Sequence, residues 1–437
     1  MKTTLSAASS LLFLMSAVLR ADDWPRWLGP VGDSSWKETG LLERFPDAGP
    51  TVKWKVPVRW GYSGPAVAAG KVFVMDYDIT EGKPDANPGG RTKIKGKERV
   101  RCFESATGKE LWTHGYEMEY NLSFPAGPRC TPTVEGDLVY SLGAEGFLTC
   151  LAVADGAVVW ETDLKKTYQV ESPIWGFASH PLVMGDLLIV KPGGAGTTVV
   201  ALNRKTGKEV WRALTSRETG YAPPVSLPQG GQEQLIISHG EAINSLDPLT
   251  GKVHWTVPFA PSYGMAIMAP RPAGDYLFMG GMGKKSISLK LKADFATPDI
   301  AWDGTPKTGL SPKNSTPVFS EGLLYGCDAD GELRCFDPAT GERYWSSKAV
   351  LGSTPGSGTF FMVKASPHWV IFNELGELIL ADLSKEGYKE KGRAKIIEPT
   401  SPGMGRTVVW THPAFAEKCV FARNDTELVC VSLEAAK

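Results

Sequence analysis

Ala106-Thr107-Gly108-Lys109-Glu110-Leu111-Trp112 returns down the chain in three near-copies. These are Lys205-Thr206-Gly207-Lys208-Glu209-Val210-Trp211, Leu249-Thr250-Gly251-Lys252-Val253-His254-Trp255 and Ala339-Thr340-Gly341-Glu342-Arg343-Tyr344-Trp345. Working outward, seven tryptophans mark seven units: Trp54, Trp112, Trp160, Trp211, Trp255, Trp302 and Trp345, at steps of 43 to 58 residues. A period of this length signals a repeat architecture. The third unit shows what repeats. Pro181-Leu182-Val183 leads to a Gly185-Asp186 turn, Leu187 to Val190, a Gly193-Gly194 hairpin, Thr198 to Leu202, and then Glu209-Val210-Trp211. Short strands punctuated by Gly and Asp form an antiparallel meander. Such meanders repeated radially make a β-propeller.

The mean step between Trp54 and Trp345 is 48.5 residues, so the 92 residues after Trp345 hold about two more units. The last unit, Pro413 to Leu433, stops before any tryptophan-bearing strand, and Thr51 to Val56 supplies one at the other end. The expected fold is therefore all-β. It is an eight-bladed β-propeller of four-stranded antiparallel blades over 51–437, closed by pairing of the N-terminal strand with the C-terminal blade, which leaves no open sheet edge. Prolines mark the starts of the innermost strands at Pro65, Pro132, Pro181, Pro224, Pro270, Pro317 and Pro413. The residues before them are expected to ring one mouth of the central channel. The seventh unit breaks both rules: it has no such proline, and Ile396 or Ile397 stands where a tryptophan is expected.

Lys2, the apolar run Leu11 to Leu19 and Ala21 read as an export signal over 1–21, followed by an extension over 22–50. No cysteine precedes Cys102, which argues against a lipid anchor, and the expected product is soluble, periplasmic or secreted, and monomeric. Lys+Arg 47 against Asp+Glu 48 gives a net charge of −1, which disfavours nucleic acid as a partner. Cys102, Cys150, Cys335 and Cys430 fall at one point of their units, where cysteine serves as a small buried hydrophobe. Local pairing of Cys327 with Cys335, or of Cys419 with Cys430, stays open. The Lys-, Gly- and Pro-rich insertion Asp78 to Glu98 reads as a mobile surface loop.

The Ala-Thr-Gly-Lys-x-x-Trp phrase and strand-swapped closure resemble the tryptophan-docking propellers. These carry the pyrroloquinoline-quinone (PQQ) type repeats of quinoprotein alcohol dehydrogenases and of the outer-membrane barrel-assembly lipoprotein. The start, Asp23-Trp24-Pro25-Arg26-Trp27-Leu28-Gly29-Pro30, is similar to that of exported PQQ-like repeat proteins of planctomycete-type bacteria. The resemblance implies that each indole packs flat on the neighbouring blade while its N–H finds a backbone acceptor. For a quinoprotein enzyme it would also imply a vicinal disulfide and a Glu, Asn and Asp set for calcium. This chain has no adjacent cysteine pair.

Other chemistry is missing as motif. There is no Cys-x-x-Cys-His for haem, no paired histidines at zinc spacing, no nucleophile elbow and no phosphate loop. What remains is the mouth. Arg129, His180, Arg271, Asn314, Arg406 and His412 fall near inner-strand starts, with Tyr62, Tyr221, Tyr263, Trp60, Trp175 and Trp410 beside them. Cations mixed with rings can bind an anionic or sugar-like ligand. The leading expectation is a non-catalytic propeller, without cofactor or metal, binding a protein or envelope component through its mouth or loops. The alternatives are a PQQ-dependent oxidoreductase and a carbohydrate-binding or carbohydrate-cleaving propeller.

Overall fold

A computed structural model describes residues 22–85 and 87–435. The export signal expected at 1–21 lies outside the described residues. Seven sheets have four strands, one has five, and Ser401–Gly403 pairs with Arg406–Val408 as a separate hairpin. Taken from innermost to outermost strand, sheet 1 runs from Ala66–Ala68 to Glu110–Leu122, sheet 2 from Thr133–Glu135 to Val158–Asp163, and sheet 3 from Leu182–Met184 to Glu209–Ala213. Sheet 4 runs from Val225–Gln229 to Val253–Pro258, sheet 5 from Arg271–Ala273 to Asp299–Asp303, and sheet 6 from Val318–Ser320 to Arg343–Ser347. Sheet 7 runs from Phe360–Ala365 to Gly387–Lys395. Sheet 8 runs from Ala414–Ala416 to Val52–Pro57, which pairs antiparallel with Glu427–Ser432. Except in sheet 7, each inner strand starts on the residue after its proline, where no ladder donor is lost. This is the β-propeller architecture.

The tryptophans join one sheet to the next. Six indole N–H groups donate to a carbonyl of the following sheet: Trp54 to Ser105, Trp112 to Val153, Trp160 to Arg204, Trp211 to Pro248, Trp302 to Pro338 and Trp345 to Ser384, all at 2.8–3.1 Å. The ring then lies on a glycine of that sheet's turn. A Cβ on Gly108, Gly156, Gly207, Gly251 or Gly341 would fall 2.5–2.9 Å from the preceding indole. These glycines also sit at φ of +69° to +75°, so two constraints select the same residue.

Across the outer strand pair, each docking indole faces a small residue. The pairs include Cys102 with Trp112, Cys150 with Trp160, Ala201 with Trp211, Ser245 with Trp255, Cys335 with Trp345 and Cys430 with Trp54. All seven cysteines are buried free thiols, so neither local disulfide is formed. In sheet 7, Ile396 and Ile397 are buried in the core shared with sheet 8.

The insertion is not a loop. Asp78 to Glu81 and Thr92 to Glu98 prolong two strands of sheet 1, and 82–85 and 87–91 belong to the tip between them. The sequence pattern was hidden by lysines that alternate with inward residues. Ile94 and Glu98 are buried, Tyr77 stacks on Tyr120 at 4.1 Å, and Glu98 accepts hydrogen bonds from the hydroxyls of Tyr116 and Tyr120 and from the Ala144 N–H. Burial holds the Glu98 carboxyl above its usual range.

Candidate functional site

Part of the extension expected over 22–50 is hydrogen-bonded to the sheets. Residues 22–36 form a strap along the innermost strands. Trp24 exchanges hydrogen bonds with Val67 of sheet 1, and Val134 of sheet 2 donates to the Pro25 carbonyl. Ser35–Trp36 then adds to sheet 7 as a parallel strand against Lys364 and Ala365. Trp24 and Trp36 are both buried and pack on Phe415 of sheet 8, which anchors the strap at each end. Between these anchors, Leu28 at φ +64° and Gly29 at φ +85° turn the chain. Gly29 lies against the Trp24 ring, where a Cβ would be 3.0 Å away.

This fold of the strap presents Trp27 as the floor of a cavity of about 290 Å³ at the mouth. Its indole stacks on His180 with centroids 4.5 Å apart and meets His412 edge-on at 6.2 Å. The two histidines project into one cavity, as their equivalent places in the repeat require, and one indole touches both. The His180 Nδ1 accepts the Thr131 N–H at 3.0 Å, while the His412 Nδ1 lies 2.7 Å from the Pro413 carbonyl and is the donor there. Burial, with the His412 charge adding for His180, pushes their pKa values down to about 3 and about 4. Both rings are therefore neutral near pH 7.

The walls are largely apolar. Tyr62, Phe124, Trp175, Tyr221, Phe361 and Trp410 contribute rings, and Met265, Met282 and Met404 contribute thioethers. The expected polar groups are mostly turned away. Arg129 donates to the carbonyls of Ser123, Phe124, Gly127 and Trp175, with its guanidinium over the Tyr62 ring. Asn314 donates to Thr359 at 3.1 Å, and neighbouring Lys313 donates to Ser357 at 2.9 Å. Trp410 donates to buried Glu374, which also accepts from Arg406 at 2.8 Å and from the Thr359 N–H. The Tyr62 hydroxyl is buried without a partner.

Four sequence assignments need correction. Arg406 does not line the cavity; it is ion-paired with Glu374 behind Trp410. Arg271 is buried below the mouth, with its Nη1 on the Gly32 carbonyl of the strap at 3.0 Å. Tyr263 is 76% exposed outside the cavity, and Trp60 is bridged to Tyr77 instead of lining the cavity. Conversely, the repeat gave no reason to pick Trp27, Lys313 or the methionines. The Trp24-Pro25-Arg26-Trp27 run was the available signal for the first. The insertion contributes too: Pro88 lines the cavity, and Arg91 ties the tip to the carbonyls of Asn121 and Ser172 at 2.8 Å.

The cavity lining contains no aspartate or glutamate, and Asn314 is its one carboxamide. Among the described residues, no three or more His, Cys, Asp or Glu side chains are placed to hold a metal ion. A quinone held with calcium by Glu, Asn and Asp does not find that donor set here.

The family model described as "Outer membrane protein assembly factor BamB" matches residues 96–347 and 243–435. The Yersinia pestis protein of that description is 24% identical over 230 residues, covering 51% of this chain. The match spans 56% of that relative's own length, little more than half. BamB from Moraxella catarrhalis superposes over 89% of this chain and 98% of its own, with a TM-score of 0.57 and 16% identity. A quinohemoprotein alcohol dehydrogenase from Comamonas testosteroni aligns over 95% of this chain and 81% of its own at a TM-score of 0.40 and 11% identity. At 16% identity the likeness to the Moraxella protein is one of fold.

Proposed function

The chain belongs to the family described as outer membrane protein assembly factor BamB, and on that premise we propose that it is an exported, non-catalytic propeller that binds a protein or other envelope component at its mouth. The domain in this reading is a closed ring of eight blades over 51–437, acting as a monomer, with 22–50 as its strap-bearing extension. Support for closure comes from the pairing of Val52–Pro57 with Glu427–Ser432 and from the Trp54 bond to Ser105 of sheet 1. Export rests on the character of residues 1–21. No helix among the described residues is long and apolar enough to cross a membrane.

The observation that carries the reading is the mouth cavity. Rings and methionines dominate its lining, while the hydrogen-bonding groups of Arg129, Asn314 and Trp410 are taken up by their own surroundings. Such a site suits an inserted apolar side chain, with methionines able to adapt to its shape. Immobilised protein should bind a purified outer-membrane assembly component, and Trp410→Ala or Met404→Asp should weaken binding at least tenfold. Saturable dye reduction by an alcohol or sugar after addition of PQQ and calcium would overturn the non-catalytic reading.

A second reading is favoured by three indoles, Trp27, Trp175 and Trp410, around one cavity, since stacked rings also hold sugars. A glycan array tests it. Binding that disappears in Trp175→Ala would support a carbohydrate site, and an array with no binding would remove it.

A further inference from the structure

We propose that the strap closes over a binding site for a small inorganic anion, of the halide class, held by Arg271 and Arg26. A second cavity of about 70 Å³ lies beneath the strap, lined by Arg26, Gly32, Thr133, Ser226 and Ala269 among others, with no carboxylate in its lining. Arg271 stands just outside this lining and reaches it through Gly32, whose carbonyl accepts from the Arg271 Nη1 at 3.0 Å.

Arg271 is 4% exposed, and its Nε and Nη2 are both buried without a partner. Burial lowers its pKa only to about 10, so it remains charged at neutral pH. Asp33 is the acid whose charge reaches it, yet Asp33 forms no ion pair within 4 Å among the described residues and instead accepts both the N–H and the hydroxyl of Ser35. Arg26 directs Nε and Nη2 to the Pro30 carbonyl and adds a second guanidinium to the wall.

A buried cation with unmet donors is unfavourable. An acceptor-only anion meets the charge and the donors together, which water does only for the donors. Size agrees. On a measure in which a water needs roughly 10–15 Å³, this cavity holds a halide with a few waters. The site would fasten the strap to sheet 5 and so fix Trp27 above it.

Crystals of the whole protein grown or soaked in sodium bromide test the site directly. The expected result is an anomalous bromide peak within hydrogen-bonding distance of the Arg271 guanidinium. In solution, sodium bromide or chloride should raise the unfolding midpoint saturably above sodium gluconate of equal ionic strength. Arg271→Gln should abolish that rise. Arg26→Gln, a milder change, should shift its half-saturation several-fold upward and keeps the test open should Arg271→Gln fail to fold. Water alone at Arg271 in the bromide crystal, or a halide response unaltered in both variants that fold, would overturn the proposal.

Discussion

A methyl group on Gly251 would stand 2.5 Å from the Trp211 indole, at a backbone φ of +72°. Gly251→Ala should therefore cost about 1–3 kcal/mol through overpacking and backbone strain. Trp211→Ala should cost about 3–5 kcal/mol, and the double variant less than the sum, because the two residues share one contact. Urea unfolding of the three variants checks this. The buried imidazoles give a second prediction. An unfolded chain protonates histidine near pH 6.5, whereas His180 and His412 do so only at about 3 and about 4. Between those limits the unfolded state binds more protons. Stability should then fall as pH drops from about 6.5 toward 4, by up to about 1.4 kcal/mol per pH unit for each ring. The loss between pH 7 and 4.5 should shrink in His412→Gln. At this scale the tryptophans and their small cross-strand partners were legible, because the repeat presents them several times. The targets of Arg129 and Arg406 were not, since backbone carbonyls and a single buried Glu374 leave no sequence signal.

Among the elements, the strap and the insertion carry most of what distinguishes this propeller. Both are unrepeated, so periodicity said nothing of them beyond their boundaries. Trp27 reaches the mouth only because Trp24 and Trp36 anchor the strap at its two ends. Deletion of 22–36 should lower the unfolding midpoint substantially, as it removes two buried indoles worth about 3–5 kcal/mol each. Trimming the insertion tip to a short turn between Glu81 and Thr92 should lower the midpoint far less, since it loses the Arg91 bonds while the strands below keep the Tyr77–Tyr120 stack. It should open the wall that Pro88 provides. Differential scanning calorimetry on both deletions separates a load-carrying strap from a site-shaping tip. Equal losses would contradict this division.

For the whole molecule, the proposed closure at sheet 8 and the proposed function at the mouth are linked, because His412 and Trp410 belong to the segment that enters that sheet. Trp54→Ala should speed hydrogen exchange across Glu427–Ser432 and leave sheet 4 protected, as the Trp54 bond to Ser105 is one of the ties between sheets 8 and 1, beside the Arg423 bond to the Met75 carbonyl and the Ser105 bond to Glu417. The central claim is that the mouth engages a protein and performs no turnover. A photo-crosslinking residue at Met404, half-exposed on the cavity rim, tests this in cells beside a control at exposed Leu249 on an outer turn. The prediction is a covalent adduct with an outer-membrane assembly protein from position 404 alone, lost when Trp27→Ala removes the floor. An adduct from 249 but not 404, or one indifferent to Trp27→Ala, would contradict it.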